Sequence, residues 1–220
     1  MKALWKNDDS LFALARKELF TAVVGDVMDK LGFRRQFLPP RIQPLDRSMV
    51  TIGRAMTVLE ADCFEDSGFG LMFEALDGLT KNEVYVCGGA SPRYALWGEL
   101  MSIRAMRCGA VGAIMDGYSR DTRGILALRF PCFSHGAYAQ DQGPRGKVIA
   151  YRVPIEMNGV RIESGDIVFG DLDGVCVVPR QAEEAVFTAA IEKARGEKTV
   201  RKALERGMSA RDAFNKFGIL

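Results

Sequence analysis

The stretch Gly88–Gly124, GGASPRYALWGELMSIRAMRCGAVGAIMDGYSRDTRG, sets the fold class. It reads as a glycine-rich turn, an amphipathic helix, a short buried strand, and a turn holding Arg120 and Asp121. From about Gly98 to Cys108, apolar residues fall at Leu100, Met101, Ile103, Ala105 and Met106, with Arg104 and Arg107 opposite. That period predicts a helix with one buried face. Gly109 is placed to close it as a left-handed cap. Ala110 to Met115 is a short apolar run suited to a buried strand, ended by the Asp116-Gly117 turn. Glu83 to Cys87 reads as the strand that delivers the glycine-rich turn. The strand, helix, strand order predicts at least one parallel crossover and an α/β class.

A helix that leaves a sheet edge and a strand that returns to it bring the helix start and the strand end together. Glu99, in the first helical turn, can therefore share one corner with Arg120 and Asp121. Two carboxylates beside one guanidinium suit a hard divalent cation bound through oxygen, with Arg120 holding an anionic substrate. The same residues also suit a surface ion pair of Arg120, and Glu99 suits a plain helix-start acid favoured by the dipole. Residue type and spacing leave these readings open.

Two longer blocks narrow them. Gly98-Glu99-Leu100, Gly109, Gly112, Asp116-Gly117 and Arg120-Asp121 form one. Gly165-Asp166-Ile167-Val168-Phe169-Gly170-Asp171-Leu172-Asp173-Gly174-Val175, continuing to Val178-Pro179, forms the second. In order and spacing they resemble the family that contains 4-hydroxy-4-methyl-2-oxoglutarate aldolase and the regulator of ribonuclease E activity A. The similarity runs from about Thr21 into the C-terminal helices.

The resemblance implies a β/β/α sandwich of the swivelling-domain type with helices at both chain ends, assembled as a ring-shaped homotrimer or a hexamer. It implies a Mg²⁺- or Mn²⁺-dependent class II pyruvate aldolase for 4-hydroxy-2-oxo acids, with oxaloacetate decarboxylation as a side activity. Asp121 would hold the metal, Glu99 its waters, and Arg120 the developing enolate oxygen. Backbone N–H groups near Gly98, Glu99, Leu100 and Met101 would receive the substrate carboxylate. A further acid would come from the C-terminal helix of a neighbouring subunit, with Glu197 preferred over Glu192. The alternative is a non-catalytic protein that binds and inhibits a ribonuclease. In that branch, the resemblance implies, the acid after Gly98 is absent, whereas this chain has Glu99.

The rest of the chain sets bounds. Its 220 residues contain nothing like a linker and read as one domain, and 48% hydrophobic with 26% charged residues is ordinary for a soluble protein with a core. A net charge of +2, with no basic stripe interleaved with aromatics, suggests neither nucleic acid nor a membrane as partner. Five scattered cysteines without a C-x-x-C pair read as reduced, buried thiols. With no signal-peptide core at the start and no apolar run of membrane-spanning length, the expected location is cytoplasmic.

Ser10–Phe20 is expected as a helix capped by Ser10, and Thr21 caps a second helix that ends at Gly32. Gly53–Leu59 reads as a strand, and Asp66–Leu79 as a helix with Leu71, Met72, Ala75 and Leu76 inward. Beyond Asp121, short strands are expected at Arg129–Phe133, Lys147–Val153, Arg161–Ile162, Asp166–Phe169 and Val175–Val178. The Asp171-Leu172-Asp173-Gly174 turn reads as structural. From Arg180 on the pattern is helical, with charges that suit a solvated face or an ion pair of Glu197 with Arg201. The single histidine, His135, cannot build a multi-histidine metal site and reads as structural or surface. No G-x-S-x-G elbow, Walker A loop or G-x-G-x-x-G fingerprint occurs, so hydrolase triads and nucleotide cofactors are not implied.

Overall fold

The computed structural model describes residues 4–63, 68–91 and 93–219. In chain order the elements are α1 (Asp8–Glu18), α2 (Thr21–Lys30), β1 (Gln43–Pro44), β2 (Thr51–Asp62), α3 (Gly70–Asp77), β3 (Glu83–Gly88) and β4 (Ala95–Trp97). Then come α4 (Glu99–Cys108), β5 (Gly112–Met115), β6 (Tyr118–Ser119), α5 (Thr122–Leu128), β7 (Cys132–Ser134), β8 (Gly146–Tyr151), β9 (Ile155–Met157) and β10 (Val160–Ile162). The chain closes with β11 (Ile167–Asp171), β12 (Gly174–Val178), a 3-10 turn at Arg180–Ala182, α6 (Glu183–Glu205) and α7 (Ala210–Phe217).

The main sheet has the order β1-β7-β5-β3-β2-β11-β12, with β8 also on β2. β2, β3, β5 and β7 pair in parallel, which requires crossovers, and these carry α3, α4 and α5. The remaining pairings in this sheet are antiparallel.

Alternation along the strands sorts the core into three parts. Val84, Val86, Ile114, Phe133, Val168, Val175 and Val177 point to one shared interior. A Cβ at Gly170 on β11 would come within 2.9 Å of the Phe133 ring on β7, so the sheet curls until its two ends face each other across that interior. Tyr85, Cys87, Ala113 and Met115 point outward beneath α3, α4 and α5. Ile167, Phe169, Cys176 and Val178 point outward beneath α1, α2 and α6. The mixed α/β class with helices at both chain ends therefore agrees with the sequence reading. Each fully buried Val, Ile or Phe contributes roughly 1.5–3 kcal/mol.

Polar anchors fix the terminal helices. Arg54 on β2 bonds Asp8 of α1, at 2.9 Å from Nε and 2.6 Å from Nη2, and also Glu183 of α6, and these acids raise its pKa. The expected caps differ in detail. Asn7 caps α1, and Ser10 sits three residues in as the reciprocal half of a capping box. Thr21 begins α2 without capping it, because its N–H and hydroxyl donate to the Asp171 carboxylate at 2.8 and 2.7 Å. That bond gives the Asp171–Gly174 turn its structural role.

Three expectations about the middle of the chain are corrected. The helix expected over Asp66–Leu79 spans only Gly70–Asp77, and Leu71 is exposed rather than inward; residues 64–67 lie outside the described residues. On α4 the inward residues are Ser102 and Ala105, with Met101 and Cys108 partly buried, while Leu100, Ile103 and Met106 are exposed. The rotation is set by Ser102, whose hydroxyl accepts from Trp97 Nε1 at 2.7 Å and donates to the Gly98 carbonyl at 3.0 Å. The strand expected at Arg129–Phe133 starts only at Cys132, because α5 precedes it and Arg129 ends that helix in the left-handed region. Among the described residues no helix is long and apolar enough to cross a membrane.

Candidate functional site

The expected corner forms, and a second, two-stranded sheet builds it. β4 and β6 run parallel with Ala95 opposite Tyr118 and Trp97 opposite Ser119. The Arg120 N–H then donates to the Trp97 carbonyl at 2.8 Å, so the segment Trp97-Gly98-Glu99 lies beside Ser119-Arg120-Asp121. Each segment starts a helix, and each start accommodates a carboxylate from the other. Asp121 Oδ2 lies over Gly98, where a Cβ would be only 2.8 Å away. The Glu99 carboxyl occupies the space where a Cβ of Gly124 would be. Asp121 itself has φ 55° and ψ 32°, a left-handed conformation uncommon outside glycine, which aspartate tolerates better than most residues.

A cavity of about 280 Å³ opens at this corner. Gly98, Leu100, Met101, Arg120 and Asp121, all singled out from sequence, line it. Glu99 does not, since its side chain turns toward Gly124. Gly98 begins α4 with no side-chain cap, leaving the N–H groups of the first turn available to an anion. Glu192 and Glu197 stand apart on α6, over the other half of the sheet. Glu197 pairs with Lys193 at 2.8 Å, and Arg201 pairs instead with Glu205 at 3.2 Å, so the expected Glu197–Arg201 pair is replaced by its neighbours on either side.

Sequence reasoning missed the other lining groups. The loop after β7 runs back along the small sheet, with Ala95 N–H donating to the Gln140 carbonyl at 2.8 Å, and so brings Asp141 and Gln142 to the cavity. Asp141 Oδ1 is 3.5 Å from Arg120 Nη2, closer than Asp121 Oδ2, which is 3.9 Å from Arg120 Nε. Opposite them stand Phe69, Met72 and Phe73 from the start of α3, with Leu96 and Trp97 from β4. The only signal in the sequence for Asp141 is its place in a Gly/Pro-bounded polar loop, which does not indicate what it faces.

Two polar clusters lie nearby. Glu60, 2% exposed, receives hydrogen bonds from Cys87 and Gln142, yet burial raises its pKa to about 7, and its Oε2 has no hydrogen-bond partner. His135 is buried, with Nε2 2.9 Å from Asp116 Oδ1, and Arg41 reaches both. The His135 contact and Arg41 hold Asp116 below the usual carboxylate range. With its side chain 6% exposed, His135 departs from the surface half of the expectation of a structural or surface residue.

Among the described residues no three His, Cys, Asp or Glu side chains are grouped to enclose a metal ion. A hydrated Mg²⁺ needs no such cage, since it keeps several waters and binds through one or two carboxylates. The Asp121 carboxylate, about half exposed and outside hydrogen-bond range of Arg120, fits that mode of binding.

A family model described as RraA-like, Aldolase/RraA, matches residues 21–177. A protein from Halalkalibacterium halodurans, provisionally named 4-hydroxy-4-methyl-2-oxoglutarate aldolase, is 31% identical over 189 residues, which is 86% of this chain and 84% of that protein. Protein DlpA of Legionella pneumophila is 27% identical over 195 residues; these are 88% of this chain and only 31% of DlpA, so the chain spans about a third of that relative. Among solved structures, Streptomyces coelicolor RraAS2, described as an unusual member of the RNase ES inhibitor RraA protein family, superposes with a TM-score of 0.82 at 24% identity, covering 90% of this chain and all of that one. That likeness is one of fold.

Proposed function

The chain belongs to the Aldolase/RraA family of RraA-like proteins, and on that premise we propose that it is a divalent-metal-dependent class II aldolase that cleaves 4-hydroxy-2-oxo acids to release pyruvate, with oxaloacetate decarboxylation as a side activity. The observation that carries this reading is the union of Arg120, Asp121 and the uncapped start of α4 at one cavity.

The N–H groups of the first turn of α4 receive the substrate's C1 carboxylate, which places the 2-oxo group toward Arg120 and Asp121. Asp121 would hold Mg²⁺ or Mn²⁺, and Glu99, whose carboxyl packs on Gly124 outside the cavity lining, would reach the metal's waters only by turning from that contact. When bound, the metal supplies Lewis acidity at the 2-oxo group. As the C3–C4 bond breaks, its electron pair becomes the enolate of pyruvate, and the Arg120 guanidinium neutralises the charge growing on that oxygen. The C4 hydroxyl loses its proton and C3 later gains one. No histidine is among the described residues lining the cavity, so solvent water carries both protons. Leu96 and Trp97 keep water from the opposite wall.

The acid on α6 belongs to the same proposal. In a ring-shaped trimer or hexamer, Glu197 or Glu192 of one subunit would complete the corner of the next, and the exposed apolar residues Leu100, Ile103 and Met106 suit such a contact.

Pyruvate release from a panel of 4-hydroxy-2-oxo acids and oxaloacetate, with Mg²⁺ and with EDTA, tests the reading. Turnover lost on chelation is expected. Its absence throughout, together with inhibition of ribonuclease E, would establish the binding-protein reading instead.

A further inference from the structure

We infer that Asp141 is a positioning residue for Arg120: it holds the guanidinium at the cavity so that one end of the fork stays open to the substrate's oxyanion. The inference rests on the aldolase reading above and assigns a further residue to that same site. Both side chains are placed by one short strand. Residues 136–142 pair first with β6, where the Ser119 N–H donates to the Gly136 carbonyl at 3.0 Å and the Tyr138 N–H to the Ser119 carbonyl at 2.9 Å. They then reach β4, where the Ala95 N–H donates to the Gln140 carbonyl at 2.8 Å and Ala95 faces Asp141 in a parallel bridge. Arg145 Nη1 adds a bond to the Asp141 carbonyl at 3.2 Å. The Arg120 N–H donates to the carbonyl of Trp97, which lies just beyond Ala95 on the same strand. The backbones of Asp141 and Arg120 are thus both fixed to β4, and their side chains meet at the cavity.

Asp141 Oδ1 lies 3.5 Å from Nη2 of Arg120, and Asp121 Oδ2 lies 3.9 Å from Nε. Neither contact uses Nη1, which leaves that end of the fork to an incoming oxyanion. Among the described residues lining the cavity, Asp121 and Asp141 are the only acids. In the aldolase reading Asp121 is committed to a divalent cation, whose charge repels the adjacent guanidinium. Asp141 is then the acid that offsets this repulsion. An arginine released from both acids recovers several rotamers, and its fork no longer meets the enolate oxygen in one geometry. On binding, the same charge acts the other way. Asp141 is an anion in a cavity that takes up an anion, so it opposes substrate binding while it positions Arg120. A role in folding alone predicts no such opposition.

Asp141→Asn tests this, because it keeps the shape and removes the charge of a side chain 38% exposed, where the fold tolerates the change. With Mg²⁺ saturating, kcat for pyruvate release is expected to fall about fivefold, the scale of a partly exposed ion pair, while KM for the oxo acid stays level or falls. In an Arg120→Lys background, where the fork is already lost, the same change is expected to alter kcat by less than about twofold. A crystal structure of Asp141→Ala supplies a readout apart from activity: Arg120 is expected to leave its place or to spread over several rotamers. An unchanged kcat, a KM that rises as kcat falls, an equal loss in the Arg120→Lys background, or an Arg120 unmoved in the crystal overturns the inference, while any metal-dependent pyruvate release leaves the aldolase reading standing. If the wild type cleaves no oxo acid, the aldolase reading falls, and the crystal structure alone decides whether Asp141 holds Arg120.

Discussion

The Glu99 carboxyl packs on the backbone of Gly124, in the space that any larger residue would need for its Cβ. Gly98 does the same for Asp121. The two helix starts are thus locked by reciprocal contacts between a glycine and an acid, and the position of both acids depends on glycines that carry no chemistry themselves. Gly124→Ala should displace Glu99 and lower kcat by about ten- to a hundredfold, while Glu99→Gln, which keeps the shape, should be milder. A Gly124→Ala enzyme with unchanged kcat would show that the contact is incidental.

The Arg120 guanidinium lies closer to Asp141 than to Asp121 and stands ready for a planar anion. Arg120→Lys replaces a fork with a point charge, and kcat should fall by roughly 10²–10³ with little change in melting temperature. Steady-state kinetics with Mg²⁺ saturating checks this.

Glu60 gives a pH signature that is independent of catalysis. Its folded pKa of about 7 lies above the usual carboxyl value, so between about 4.5 and 7 the native state binds the extra proton. Stability from this group is therefore fully present at low pH, declines as pH rises through that window, and is lowest above 7. Glu60→Gln should flatten this decline and stabilise the protein at pH 8 by up to about 3 kcal/mol, read from urea melts at several pH values. An unchanged pH profile would show that Glu60 titrates normally.

If the α6 acid completes a neighbour's site, inactive Asp121→Asn and Glu197→Gln chains should restore part of the activity when mixed, since some interfaces then carry neither lesion. No recovery after verified subunit exchange would remove Glu197 from the site.

Much of this was legible in the sequence because it is local. The 3.6 period of Glu99–Cys108, the left-handed Gly109 with φ 88°, the apolar run of β5 and the Asp-Gly turns all declare themselves within a few residues. Which way α4 faces was not legible, because Leu100, Ile103 and Met106 suit an inward stripe as well as an exposed one, and the choice is made by the Trp97–Ser102 bond. α5 was hidden by its shortness and by Gly124 in its first turn, which weakens any helical signal. β4 and β6 are too short to show alternation. The approach of Asp141 to Arg120 and the apolar wall from α3 are products of chain crossing, which spacing does not encode.

The most direct test is metal-dependent pyruvate release by Asp121→Asn beside the wild type, with equal melting temperatures confirming the fold. The variant keeps the shape of the side chain and removes the charge on which a hard cation depends. Loss of Mg²⁺-dependent turnover, with the wild type active and inhibited by EDTA, is the predicted result. Near-wild-type turnover by Asp121→Asn would contradict the site as described.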